Sequence, residues 1–117
     1  MAEPPQKFKV GLVQMSSSPD AARNLKKAVE RVRTAAGRGA KIVCLPELFR
    51  TQYFCQREDA ALFDLAEPIP GPTTNALAEV ARKEKVVVIA SVFEKRAAGV
   101  YHNTAAVLDA SGSLAGI

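Results

Sequence analysis

Apolar and polar positions along the first third of the chain alternate between strand-like and helix-like patterns. Residues 8–15 are mostly apolar strand formers, and residues 41–45 form a second short, continuous apolar run. Runs of this kind are typical of strands that are buried on both faces of a parallel sheet. Pro46 ends the second run, because proline cannot donate to a sheet ladder. With the helical pattern between them, the two runs predict a strand–helix–strand unit with parallel strands.

The helical pattern between these strands is amphipathic. Apolar residues recur at the 3.6-residue period from Ala21 onward, with basic and acidic residues on the opposite side. Ser18 is a candidate N-cap, with Pro19 at the first helical position. Gly37 is placed to end the helix.

The remainder of the chain predicts a long connection followed by one helix and three strands. A short helix over residues 57–66 would interrupt the connection, since loops of this length usually carry function or structure of their own. Thr73 is expected to cap a helix that runs to about residue 83. The expected strands are residues 86–92, 101–108 and 114–117, with a turn at 109–112.

Length and composition fit one small globular domain. The chain has 117 residues, of which 48% are hydrophobic and 24% charged. Residues 1–7 read as a leader ahead of the domain at 8–117, and they lack the pattern of a signal peptide. No apolar run approaches the roughly 20 residues that span a bilayer. We therefore expect a cytoplasmic protein with no membrane partner.

Charge and cysteine content exclude further classes. The net charge is +4, but the basic residues lie mostly on the polar sides of two predicted helices. A solvated face is therefore favoured over a nucleic-acid site. The two cysteines are too few for a disulfide scaffold and lack metal-ligand spacing, so no metal site is predicted.

Glu47 is the main candidate for chemistry. It follows Pro46 at the carboxyl end of a predicted parallel strand, the edge at which open α/β sheets bind ligands. Among apolar neighbours its carboxylate would have a raised pKa and could act as a general base. A solvated loop glutamate or a helix cap is the alternative interpretation.

Five segments together resemble the nitrilase superfamily of carbon–nitrogen hydrolases. The segment CLPELF at 44–49 is similar to the superfamily's first catalytic motif, a proline–glutamate pair after an apolar strand. Residues 14–15 (QM), 24–25 (NL), 103–105 (NTA) and 109–112 (DASG) also fit, in the expected order. The resemblance covers residues 8–117 and implies an α/β fold, the first half of a helix–sheet–sheet–helix (αββα) sandwich.

The resemblance also implies a mechanism. Members of the superfamily use a Glu–Lys–Cys triad, in which the position of Glu47 moves protons, the lysine stabilises the oxyanion and the cysteine attacks the carbon. The lysine and the cysteine are expected beyond residue 117, so the chain alone is predicted to be inactive. No metal or organic cofactor is implied, and full-length members form homo-oligomers.

Residues 53–59 (YFCQRED) resemble the N-carbamoylputrescine amidases within the superfamily. That similarity implies a carbamoyl amine or amide substrate, hydrolysed to putrescine, carbon dioxide and ammonia in polyamine biosynthesis. Tyr53 and Phe54 would shape the substrate pocket, although aromatic packing under a long loop is an equal alternative. Glu58 and Asp59 would either receive the cationic amine or simply begin a solvated helix.

Two rival interpretations stay open at this stage. Cys55 could be a nucleophile with His102 as its base and Asp109 as the orienting group, but the sequence does not bring these residues together, and a pocket-lining Cys55 is favoured. Cys44 is expected to be a small core residue. The chain could also be an inactive fragment or an interaction module that keeps the first half of the fold.

Overall fold

The computed structural model describes residues 2–117, which form one five-stranded sheet and two α-helices. The five strands lie side by side in chain order. The first three are parallel, whereas the fourth is antiparallel to the third and the fifth to the fourth. The predicted α/β class and the parallel strand pair are confirmed. The elements are β1 Lys9–Leu12, α1 Ala21–Gly37, β2 Ala40–Cys44, a 3₁₀ helix Ala60–Leu65, α2 Pro72–Glu84, β3 Val87–Ala97, β4 Val100–Leu108 and β5 Leu114–Gly116.

Both helices cover the same face of the sheet, where they also pack on each other. Along β3, buried positions alternate with half-exposed ones. Val88 and Ala90 lie in the core beneath Leu77 and Val80 of α2. The other face, which we call the open face, has no cover from the described residues, although the apolar runs of the strands are of the kind that is buried on both faces.

The start of α1 differs from the expected one. Asp20, not Ser18, is the N-cap, and its carboxylate accepts from the backbone N–H of Arg23 at 3.1 Å. The hydroxyl of Ser18 accepts from the N–H of Asp20, which precedes the helix, and donates to the side-chain oxygen of Asn24, so it caps no N–H of the first helical turn. Pro19 consequently lies before the helix.

The start of α2 also moves by two residues. Gly71 is the N-cap and Pro72 the first helical residue, while the hydroxyl of Thr74 accepts from the N–H of Gly71 at 2.8 Å. A Cβ atom at position 71 would lie 2.2 Å from the carbonyl oxygen of Pro68, so only glycine fits. Thr73, the expected cap, is engaged by the side chain of Glu67 instead.

Two strands and the short helix also differ in extent from the predicted elements. The first strand is Lys9–Leu12 and not 8–15, although the N–H of Val13 still donates to Cys44. Strand β3 extends to Ala97 because β4 pairs with it through a hairpin that turns at Gly99. The helix expected at 57–66 is a shorter 3₁₀ helix, whose first turn is capped by the carboxylate of Asp59. No helix within residues 2–117 is long and apolar enough to cross a membrane.

Candidate functional site

Glu47 lies at the carboxyl end of β2, as the sequence predicts. The last ladder hydrogen bond, from the N–H of Leu45 to the carbonyl of Ile89, immediately precedes Pro46. Leu48 then adopts the left-handed conformation, with φ of 49°. This conformation is uncommon for a residue with a branched side chain and costs on the order of 1–3 kcal/mol. Leu48 is nevertheless 3% exposed, so core packing holds the strained turn that presents Glu47.

The carboxylate of Glu47 is held by the antiparallel part of the sheet. The side-chain amide of Asn103, on β4, donates to Glu47 Oε1 at 2.6 Å. The hydroxyl of Ser91, on β3, donates to Asn103 Oδ1 at 3.0 Å and accepts from the N–H of Leu48 at 3.0 Å. Glu47 is otherwise exposed. The apolar enclosure expected around it is therefore not formed by the described residues.

The site lies on the open face. Asn103 pairs with Phe93 in the β3–β4 register, and Ser91 is two residues from Phe93 on the same face. The alternate residues, such as Val92 and Thr104, are buried beneath the helices. Glu47 and Asn103 thus point away from the helical layer.

The buried side chain of Asn24, in α1, holds the segment after Glu47 in place. Its side chain is completely buried and makes four hydrogen bonds, three to Ser18 and one from Nδ2 to the carbonyl of Arg50 at 2.9 Å. The hydroxyl of Ser17 donates to the carbonyl of Phe49 at 2.8 Å. The loop before α1 and the turn after β2 are therefore joined through α1.

Replacing Asn24 by alanine is expected to lower the free energy of unfolding by about 3 kcal/mol, because several buried polar groups lose their partners. Asn75 is an exposed asparagine in α2 and provides the matched control. Asn75→Ala should change stability by less than about 0.5 kcal/mol. Thermal unfolding of both variants checks this. Equal midpoints would show that Asn24 does not anchor the turn.

A second buried network, which the sequence did not reveal, ties the same segment to α2. Arg50 Nη1 donates to the carboxylate of Glu67 and, at 2.8 Å, to the hydroxyl of Thr73. The N–H and hydroxyl of Thr73 both donate to Glu67 at 2.9 Å. The backbone of Glu67 pairs in turn with Phe93 and Lys95 of β3. Glu67 precedes residues 68–72 (PIPGP), and the sequence there has no periodic pattern that would predict this network.

Tyr53 and Phe54 lie in the loop between β2 and the 3₁₀ helix. Tyr53 is 51% exposed. A hydrogen bond with the Cys55 thiol, followed by the charges of Cys55 and Glu47, raises the pKa of Tyr53 above its ordinary value of 10.0. Tyr53 is thus close enough to Glu47 to respond to its charge. Phe54 is half-buried, with its ring centroid 4.8 Å from that of Phe93.

A cleft of about 520 Å³ is lined by Phe54, whereas Tyr53 is not among its lining residues. Three aromatic side chains form part of its wall, since the rings of Phe54 and Phe63 both pack on Phe93. Charged groups line it as well, among them Arg57 and Glu58. Volumes of 300–1,000 Å³ with apolar walls and a few polar groups are usual for small-molecule sites.

The alternative Cys–His–Asp arrangement is not formed. The carboxylate of Asp109 accepts from Ser111 and Ser113 within its own turn. His102 lies opposite Glu94 on β3, on the sheet face opposite to that of Asn103. Cys55 lines the cleft with Phe54. Within residues 2–117, no three His, Cys, Asp or Glu side chains converge as metal ligands would.

The chain is similar to the proteins of one family. The carbon–nitrogen hydrolase family profile matches residues 9–117. The chain is 38% identical over 111 residues to citrullinase of Francisella tularensis and 35% identical over 118 residues to N-carbamoylputrescine amidase of Solanum lycopersicum. It is also 38% identical over 108 residues to an omega-amidase of Mus musculus.

The similar region is a limited part of each relative. The three alignments cover 94%, 100% and 92% of this chain but 38%, 39% and 37% of the respective relatives. The crystal structure of a carbon–nitrogen hydrolase from Helicobacter pylori matches with a TM-score of 0.85 at 35% identity. That match covers 92% of this chain and 37% of the other.

Proposed function

This chain belongs to the carbon–nitrogen hydrolase family and has part of its nitrilase-type α/β fold, and from that premise we propose that it supplies the proton-transfer carboxylate, Glu47, of an enzyme that hydrolyses N-carbamoylputrescine. The observation that carries the proposal is the position of Glu47, hydrogen-bonded to Asn103 at 2.6 Å on the open face and near an aromatic cleft. The complete enzyme would consist of this chain continued by the rest of the family domain, with its lysine and cysteine.

The proposed chemistry gives Glu47 a part in each proton transfer of the reaction. Its carboxylate takes the proton of the cysteine thiol, and the thiolate attacks the carbonyl carbon of the substrate. The lysine stabilises the oxyanion that forms. Glu47 then gives the proton to the departing nitrogen, accepts one from the water that hydrolyses the S-carbamoyl intermediate, and returns that proton to the released cysteine thiolate. An exposed carboxylate with one oxygen hydrogen-bonded, and the other without a partner among residues 2–117, suits this exchange.

The cleft supports a substrate with a cationic tail. N-carbamoylputrescine carries an ammonium group at the end of a four-carbon chain. Phenylalanine faces attract such cations, and a carboxylate pairs with them. Phe63 and Phe93 offer the first kind of contact and Glu58 the second. Asp59 contributes less, because its carboxylate is already engaged as the cap of the 3₁₀ helix.

One observation favours a second substrate. Arg57 lines the same cleft as Glu58, so the cleft presents charges of both signs. Citrulline has the same ureido group as N-carbamoylputrescine but ends in an α-ammonium and an α-carboxylate. Such a tail could pair with both residues. The similarity to citrullinase is consistent with this alternative.

Single substitutions in the cleft separate the two substrates. In the complete enzyme, Glu58→Gln should lower kcat/KM for N-carbamoylputrescine about tenfold, mainly through KM, because about 1.4 kcal/mol of charge pairing is lost. Arg57→Gln should leave that value within about threefold. If citrulline is the substrate, Arg57→Gln should cost at least as much as Glu58→Gln. Steady-state kinetics with both compounds distinguish the cases.

The other proposal is that the chain acts without catalysis, as an interaction module that keeps part of the fold. The coding sequence after Ile117 discriminates the two. A continuation with the family's lysine and cysteine, together with ammonia release from N-carbamoylputrescine, would support the enzyme. A stop codon and no hydrolysis of any ureido compound or primary amide would support the module.

A further inference from the structure

Asn103 has a defined orientation next to Glu47. A carboxamide has one accepting end and one donating end, and only the donating end suits a carboxylate. Here Nδ2 is 2.6 Å from Glu47 Oε1, and Oδ1 is 3.0 Å from Ser91 Oγ. The amide thus spans the gap between the serine hydroxyl and the glutamate.

The direction of every hydrogen bond in this group follows from the backbone. The N–H of Leu48 can only donate, so Ser91 Oγ must accept from it at 3.0 Å. The single hydroxyl hydrogen of Ser91 is then free to donate to Asn103 Oδ1. That bond turns the NH₂ end of Asn103 toward Glu47. Leu48 follows Glu47 directly, so the three hydrogen bonds and the backbone between these two residues form a closed ring. The ring includes the turn that carries the carboxylate.

We propose that Asn103 is a positioning residue for Glu47, with Ser91 fixing its orientation. This inference rests on the proposed role of Glu47 in proton transfer. The amide of Asn103 binds Oε1 and leaves Oε2 as the oxygen that exchanges protons with the reacting groups.

Few other groups of the described residues influence this carboxylate. The titratable ones near it are Tyr53, which responds to the charge of Glu47, and Cys55 beside Tyr53. From β3 and β4, the groups that face it are Ser91 and Asn103, neither of which titrates. The lysine and cysteine of the triad would join them in the complete enzyme. Substitutions at Asn103 should therefore be visible in the pH profile.

The test uses three variants of the complete enzyme. Asn103→Leu removes the donor and should lower kcat about 10- to 100-fold, with KM changed less than about threefold, because orientation of the base is lost and substrate contacts are kept. Asn103→Asp places a second carboxylate beside the first, and the two cannot both ionise readily. The acidic limb of kcat/KM should then move up by about one pH unit or more. Ser91→Ala should lower kcat by a smaller factor.

Two further variants separate positioning from folding. Ser91→Thr keeps the hydroxyl and should recover most of the activity that Ser91→Ala loses. Asn75→Asp makes the same chemical change on the exposed side of α2 and should leave the pH profile unmoved. The proposal would be overturned by Asn103→Leu acting through KM alone, by an unmoved acidic limb in Asn103→Asp, or by equal activity of Ser91→Ala and Ser91→Thr.

This test is independent of the substrate assignment. If the complete enzyme hydrolyses another amide in place of N-carbamoylputrescine, the same variants are measured on that amide. Failure of the proposed function would instead appear in the parent enzyme, as no hydrolysis or as insensitivity to Glu47→Gln. An active parent that requires Glu47 but tolerates every change at Asn103 would contradict the positioning role only.

Discussion

Replacing Glu47 by glutamine in the complete enzyme is expected to lower kcat by about 10²- to 10⁴-fold, the usual contribution of a general base. Glutamine keeps the length and shape of the side chain, and its carbonyl oxygen can still accept from Asn103 at the position of Oε1. The turn at Leu48 should therefore be undisturbed. What is lost is the ability to take the proton of the nucleophile.

A matched control is available on α2. Glu79 is an exposed glutamate that forms an ion pair with Lys83 at 2.7 Å, far along the chain from the site. Glu79→Gln removes the same charge and should leave kcat within twofold. Ammonia release and circular dichroism of both variants are the measurements. Activity of Glu47→Gln within twofold of the parent would mean that Glu47 is only structural.

We expect the 117-residue chain, made by itself, to associate and to show no amide hydrolysis. The open face exposes apolar side chains at one edge of the sheet, including Phe8 at 62%, Val10 at 54% and Leu12 at 80%. Among the described residues β1 pairs with β2 alone, so its other edge has unpaired backbone groups. Exposed edges and apolar patches of this kind promote association.

Light scattering of dilute, tag-free chain measures this effect. Leu12→Lys places a charge on the exposed edge and should shift the distribution toward smaller species. Ala22→Lys adds the same charge to the exposed side of α1 and should not. A monodisperse monomer with a sharp thermal transition would show that the described residues form a self-sufficient domain.

The sequence predicted the elements that depend on local patterns. The apolar run of β2 and the proline after it were sufficient to place Glu47 at the end of a parallel strand. The caps were harder to predict, because Ser18 and Thr73 are good capping residues whose hydroxyl groups donate instead to Asn24 and Glu67. Tertiary contacts, and not the capping propensity of a residue, decide whether such a side chain caps the helix.

The contacts that hold the site could not be predicted, since they join residues distant in sequence. Asn103 and Glu47 are 56 positions apart, and Ser91 and Leu48 are 43 apart. The NTA segment at 103–105 was recognised as part of a family pattern, but its role was not. Nothing in the sequence of β3 marks Ser91 as different from a strand residue with a solvated hydroxyl.

The order of the strands in the sheet has a consequence for biosynthesis. Each strand pairs with the one that precedes it in the chain, from β1 through β5. On a ribosome, every new strand would therefore find its neighbour already synthesised, and the sheet could assemble in the direction of translation. Glu47 would leave the exit tunnel well before Ser91 and Asn103. The carboxylate would thus acquire its fixed orientation only when the β3–β4 hairpin had emerged and closed.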